Sequence, residues 1–313
     1  MLSRRHLRTR VMQALYSWYQ SEEKNTEIIL KELFRGTERT YDLYFSLLLV
    51  LPELADEEVK YYADLQPRHI EKKEISISRL SQNSFITFLQ ADPVFTEGVK
   101  ARKISWQKDA EIIRKVFFQL RNSAEYKTYV SQPEHSIEED VEFCSWIFKN
   151  IVISSEALQN AMEEQNIWWA EALDLINSMV LKTIRIAHPD RKGQFELMPL
   201  FKDEQDDREF MEKLFRETIK NDSYFETLIS EKTKNWDVER IALMDIILLK
   251  MALAEILTFP GIPVKVSINE YIDISKDYST PKSKVFINGV IDNLVTDLKS
   301  KGEVKKSGRG LIE

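Results

Sequence analysis

Four residues near the end of the chain, Lys282, Phe286, Gly289 and Asn293, recur at intervals of three and four. On a helix advancing roughly 100° per residue they fall on one strip, about a quarter-turn from the centre of the neighbouring apolar stripe. A cation, an aromatic ring and a residue without a side chain in one strip suit contact with nucleic acid. The Lys would meet a phosphate, the Phe286 ring would stack a base, and Gly289 would let the ligand approach closely. The simpler reading makes Phe286 a core-edge residue. At the opposite end, Arg4, Arg5, Arg8 and Arg10 come with no acidic residue before Glu22. Such a cluster neutralises phosphates, or else is a solvated basic start.

Other side chains offer less chemistry. The four histidines, His6, His69, His135 and His188, show no metal-ligand spacing with one another or with the single cysteine, Cys144. There is no phosphate-binding glycine loop and no dinucleotide fingerprint. Glu138, Glu139 and Asp140 read as the favoured first turn of a helix, and Asp245, Glu255 and Glu270 as paired structural charges. Neither a catalytic residue, a metal site, a cofactor nor a small-molecule substrate is therefore expected. The formal charge of -7 argues against coating nucleic acid by charge alone, so any such contact must be local. One cysteine fits a reducing compartment, and without a signal-like start or an apolar run of spanning length the expectation is a soluble cytoplasmic protein with no membrane contact.

The elements that must position these residues are helical. Only 8 Gly and 9 Pro occur in 313 residues, so tight turns are scarce and long helices economical. Val238–Leu257 is apolar nearly all round, the pattern of a helix buried in a core. Pro263 is expected in the first turn of a second helix burying Val264, Ile268, Tyr271 and Ile272. Ser279 or Thr280 is expected to cap a third with Pro281 just inside it, and Ile287, Val290, Ile291, Leu294 and Leu298 as its stripe. The arginines open a helix with Leu7, Val11, Ala14, Leu15 and Trp18 on one face and Arg5, Met12, Tyr16 and Tyr19 on the other. In between, Tyr41–Leu65 reads as a helix kinked or divided at Pro52, Ser105–Val130 as one long amphipathic helix, Ser136 with Glu139 as a capping box, and Trp168–Ala187 as a further helix. The tail from Lys299 is expected to be flexible, a weak attraction for RNA at most.

Several of these stretches carry a resemblance. Asn235–Ile241, Ala252–Leu257, Ile262–Glu270 and Val285–Asp292, in that order, resemble the C-terminal signature of the NusB family of transcription antitermination factors. Arg4–Arg10 running into Val11–Trp18 resembles its arginine-rich first helix, and 203–234 its helices before the signature. The resemblance implies an all-α fold, a helical bundle around a buried central helix with an extra helical region. Residues 1–20 together with 205–300 would form the RNA-binding core, 21–204 an enlarged first half or insertion, and 301–313 a flexible basic tail. It implies a non-catalytic RNA-binding protein acting in ribosomal RNA transcription. That protein would bind single-stranded boxA-type leader RNA together with the ribosomal protein NusE, in the transcription elongation complex. Arg4, Arg5, Arg8, Lys282, Phe286 and Gly289 would meet RNA, and Tyr16 and Glu239 would face NusE. One departure is Lys282-Ser283-Lys284, where many family members carry an acidic residue. A second reading is an RNA-targeting module related to the helical domain preceding ribosomal RNA cytosine methyltransferases. It would need a cofactor domain and reactive cysteines after the signature, where this sequence has a short tail and its cysteine lies upstream. A third is a protein-only helical scaffold.

Overall fold

A computed structural model of the protein describes residues 1–65, 79–166, 169, 172–186, 197–233 and 242–311. Among these the regular structure is helical throughout, and the chain is all-α. The chain divides into two compact units, one of Met1 and Glu38–Leu200, the other of Leu2–Thr37 and Phe201–Glu313. Among the described residues no helix is long and apolar enough to cross a membrane.

The first unit is built on the C-terminal part of α2 (Thr26–Leu65), which runs without interruption through Pro52. A proline inside a helix costs about 3 kcal/mol, whereas each leucine buried there returns about 1.5–3 kcal/mol. Leu47, Leu48, Leu51 and Leu54 are all buried around it, so the helix is not divided there. After α3 (Ser84–Ala91) and α4 (Pro93–Arg102), the stretch expected as one long helix is two, α5 (Ala110–Asn122) and α6 (Ala124–Ser131). Ser123 parts them, because its extended backbone lets its hydroxyl accept the Tyr126 N–H and cap a new helix. The capping box of Ser136 and Glu139 opens α7 (Ile137–Ile147) as expected. It is followed by α8 (Glu156–Gln165) and α9 (Leu173–Ile186). Cys144 is buried in this core, and burial pushes its thiol pKa up.

The second unit holds α1 (Arg4–Gln20), α10 (Glu204–Lys220), α11 (Asp222–Lys232), α12 (Leu243–Thr258), α13 (Val264–Tyr278) and α14 (Ser283–Ser300). The central helix is α12, which packs against all five others. Ile247, Leu248, Leu249, Met251, Ala252, Leu253, Ala254 and Ile256 are wholly buried, as a helix apolar all round requires. The three charges interrupting that pattern each bind a different neighbour. Asp245 accepts from Ser279 and Ser283 before and at the start of α14, at 2.6 and 2.8 Å. Lys250 pairs with Asp222 and Glu226 of α11 at 2.8 and 2.6 Å. Glu255 reaches α1 and α13.

Two helix starts differ from expectation. Pro263 is the N-cap of α13 rather than a residue of its first turn. Pro281 lies in the turn before α14, whose N-cap is Lys282, because Asp245 takes the hydroxyls of both Ser279 and Ser283 and fixes the entry at least two residues later than expected. The tail is not free either. Lys306 Nζ donates to the Phe259 carbonyl and the Ser307 N–H to the Pro260 carbonyl, both at 3.0 Å. Gly310 lies so close that an added Cβ would stand 1.9 Å from the Pro260 oxygen, so the tail's last turn, Gly308–Leu311, requires glycine there.

Candidate nucleic-acid interface

Ser3 caps α1: its hydroxyl accepts the His6 N–H, while the Ser3 N–H donates to His6 Nδ1 at 3.2 Å. With Nδ1 accepting, the ring is held neutral, and burial followed by the Arg10 charge lowers the His6 pKa below its ordinary value. From this fixed start the arginines diverge. Arg4 pairs with Asp206 and, at 3.5 Å, with Asp207, and lies 4.4 Å above the Phe210 ring. Its Nη1 is buried and has no hydrogen-bond partner among the described residues. Arg5, with 47% of its side chain exposed, binds Glu270 through Nε and Nη2 at 3.0 Å each and Asp273 at 2.8 Å.

Arg8 points inward. Only 3% exposed, it donates from Nε and Nη2 to the two Glu255 oxygens at 2.7 and 2.8 Å and approaches Glu270 at 3.4 Å. Ser267 and Tyr271, one turn apart on α13, complete the carboxylate at 2.7 and 3.0 Å. Burial, with Glu255 alongside, pushes the Tyr271 hydroxyl pKa well up and keeps it a donor. Burial would lower the Arg8 pKa, but the Glu255 hydrogen bonds overcome that and raise it. Arg8 is thus a clamp between α1, α12 and α13, which corrects its assignment to a phosphate. Sequence periodicity gave no sign of this, because the partner lies 247 residues away.

Arg4, Arg5, His6 and the edge of Arg8 line an open cleft of about 1170 Å³ with Lys213 of α10, the Phe259–Pro263 turn and Glu270. Its charge is mixed, since Asp206 and Glu209 also line it. Lys282, Phe286 and Gly289 do not. Lys282 and Gly289 are exposed, and nothing lies within 4 Å of a Cβ built on Gly289. Phe286 is 5% exposed. Its expected role as a surface stacking platform is corrected, for the inward stripe of α14 runs Ser283, Phe286, Ile287, Val290, Ile291, Leu294. Tethering Ser283 to Asp245 turns Phe286, one helical turn on, into the core. Arginine helix and aromatic helix meet on α12 rather than around one cleft.

Tyr16 is 40% exposed on α1, as its position opposite the stripe implied. Met12, expected beside it, is fully buried, because α10, α12 and α13 together cover more than one face of α1. Tyr19 donates to Asp222 and lies 5.2 Å from Lys250 Nζ. Glu239, His69, His188 and the signature block 235–241 lie outside the described residues. Among the described residues no cluster of His, Cys, Asp or Glu could hold a metal ion.

An all-helical unit packed around one buried helix, with an arginine-bearing first helix at an open cleft, defines the class of this protein as a helical bundle. The NusB family model matches residues 172–296. The transcription antitermination protein NusB of Salinibacter ruber is 49% identical over 105 residues, 34% of this chain and 66% of that protein. That of Chloroherpeton thalassium is 42% identical over 106 residues, 34% of this chain and 50% of that protein. That of Natranaerobius thermophilus is 31% identical over 113 residues, 36% of this chain and 81% of that protein. The chain belongs to the NusB family. It spans less than two thirds of the length of the first two of these relatives. No solved structure matches it.

Proposed function

We propose that this protein is a transcription antitermination factor of the NusB type. In this reading it is a non-catalytic cytoplasmic protein that binds boxA-type single-stranded leader RNA of ribosomal RNA transcripts. It does so together with the ribosomal protein NusE, in the transcription elongation complex. The observation that carries the reading is Arg5: it sits on α1 at the mouth of the cleft, half-exposed, with partners it can exchange. With 47% of its side chain exposed, Arg5 can meet a phosphate in competition with Glu270 and Asp273. Arg4 supports it from the same turn. Arg8 positions both, and Lys282 and Gly289 supply a second patch on the exposed side of α14, with Phe286 holding that helix in place. Tyr16 and Glu239 are assigned to the NusE side, and residues 21–204 to an enlarged first half or a helical insertion.

The test is fluorescence anisotropy with a labelled boxA-type RNA and a scrambled control, with and without purified NusE. The expected result is tighter binding of the boxA-type RNA, strengthened by NusE and weakened by Arg5→Ala. Equal affinity for both RNAs, unmoved by NusE or by the substitution, would overturn the reading.

A further inference from the structure

The docked tail does more than cover the Phe259–Pro263 turn. With α13 and α14 it encloses a second open groove, of about 820 Å³. Lys265 comes from the first turn of α13, Lys299 from the last turn of α14, and Lys305 and Lys306 from the tail, and among the described lining residues the one carboxylate is that of Asp292. This local excess of cations stands in a chain of formal charge -7, so it is no average property of the surface. The first turn of α13 adds to it. Val264 and Lys265 line the groove, Pro263 supplies no side-chain cap, and the positive end of the helix dipole lies there. Among the described lining residues there is no aromatic ring. Protein partners are anchored largely by aromatic side chains and disfavour lysine, and bases need rings to stack on. Lysines without rings suit a chain of phosphates.

We propose that this groove holds the phosphodiester backbone of single-stranded RNA flanking the element bound at α1, gripping it without reading its bases. The inference rests on the RNA reading above. Lys305 and Lys306 lie beyond the residues matched by the family model, so the tail contributes a part of the surface that the matched helices lack.

The experiment compares two labelled RNAs, the leader element alone and the element with flanks of arbitrary sequence on both sides. Each is titrated with the full chain, with Lys265→Ala/Lys305→Ala, and with Lys265→Arg/Lys305→Arg. The wild type is expected to bind the flanked RNA more tightly whatever the flank sequence. The alanine variant is expected to bind the bare element as the wild type does and to lose the gain from the flanks. Its salt slope on the flanked RNA should fall by about 1.4, about 0.7 for each phosphate contact on a single strand. The arginine variant should keep the gain, which separates charge from folding. An unchanged flank gain and slope in the alanine variant would overturn the proposal while leaving the element's site standing. Polyglutamate that displaces the flanks as efficiently as RNA would assign the groove to an acidic polypeptide instead. If the wild type binds neither RNA, both readings fall together.

Discussion

Arg8 of α1 and Glu255 of α12 meet through two parallel hydrogen bonds, 2.7 and 2.8 Å long, in a site from which solvent is almost wholly excluded. Removing one member of such a pair strands the other charge, at a cost of about 3–5 kcal/mol. Arg8→Ala is therefore expected to lower unfolding stability by that amount in urea denaturation. Arg5→Ala, three residues away, should change it by less than about 1 kcal/mol. Equal effects would show that the two arginines do not divide into a clamp and a contact.

On RNA the order should reverse. Arg5→Ala is expected to reduce the salt slope of binding by about 0.7, the loss of one phosphate contact. Affinities measured between low and moderate salt would check this, and an unchanged slope would remove Arg5 from the interface.

Phe286→Ala is expected to act on the fold. Emptying a buried phenylalanine site costs about 3–5 kcal/mol, whereas Phe286→Leu keeps most of the volume and should leave RNA affinity intact. A leucine variant that folds with wild-type stability but loses RNA binding would return the ring to the interface.

The cap of α1 makes stability depend on pH. The folded-state pKa of His6 is depressed below the ordinary 6.5, so its contribution is complete above 6.5 and is lost as pH falls through the folded value. Melting temperatures measured downward from neutral pH should fall more steeply for the wild type than for His6→Gln. Parallel curves would mean that the ring carries no such linkage.

Glu58, in the first unit, has the opposite sign. It accepts from the Tyr126 hydroxyl at 2.5 Å and the Leu80 N–H at 2.8 Å, and burial raises its pKa from 4.5 to about 7. The folded state thus holds this proton more tightly. The stability it adds is complete below 4.5 and is lost as pH rises through about 7. Glu58→Gln, a permanent analogue of the protonated acid, should flatten that window in pH-dependent denaturation. A variant whose stability tracks the wild type across it would refute the assignment.

What the sequence determined by itself was whatever depends on neighbours along the chain. The apolar circumference of α12, the stripe of α1, the capping box at Ser136 and the four signature blocks are local patterns of period or order, and they were enough for the all-α class and the family. The burial of Phe286 and of Arg8 was decided only by tertiary structure. Phe286 sits on the margin of its helix by periodicity, and the hydrogen bond from Ser283 to Asp245, 38 residues away, sets which way that margin turns. Arg4, Arg5 and Arg8 are alike as residues in a basic helix. Glu255, Glu270 and Asp206 arrive from distant helices to make one a buried clamp at the back of the cleft and leave the other two partly exposed at its mouth. The tail reads as glycine and lysine without a pattern, and its place against Pro260 comes from hydrogen bonds to carbonyls that no side-chain periodicity encodes. Periodicity reports which residues are apolar. Which partner meets a charge, and so whether that charge faces a ligand or a core, depends on where the chain returns.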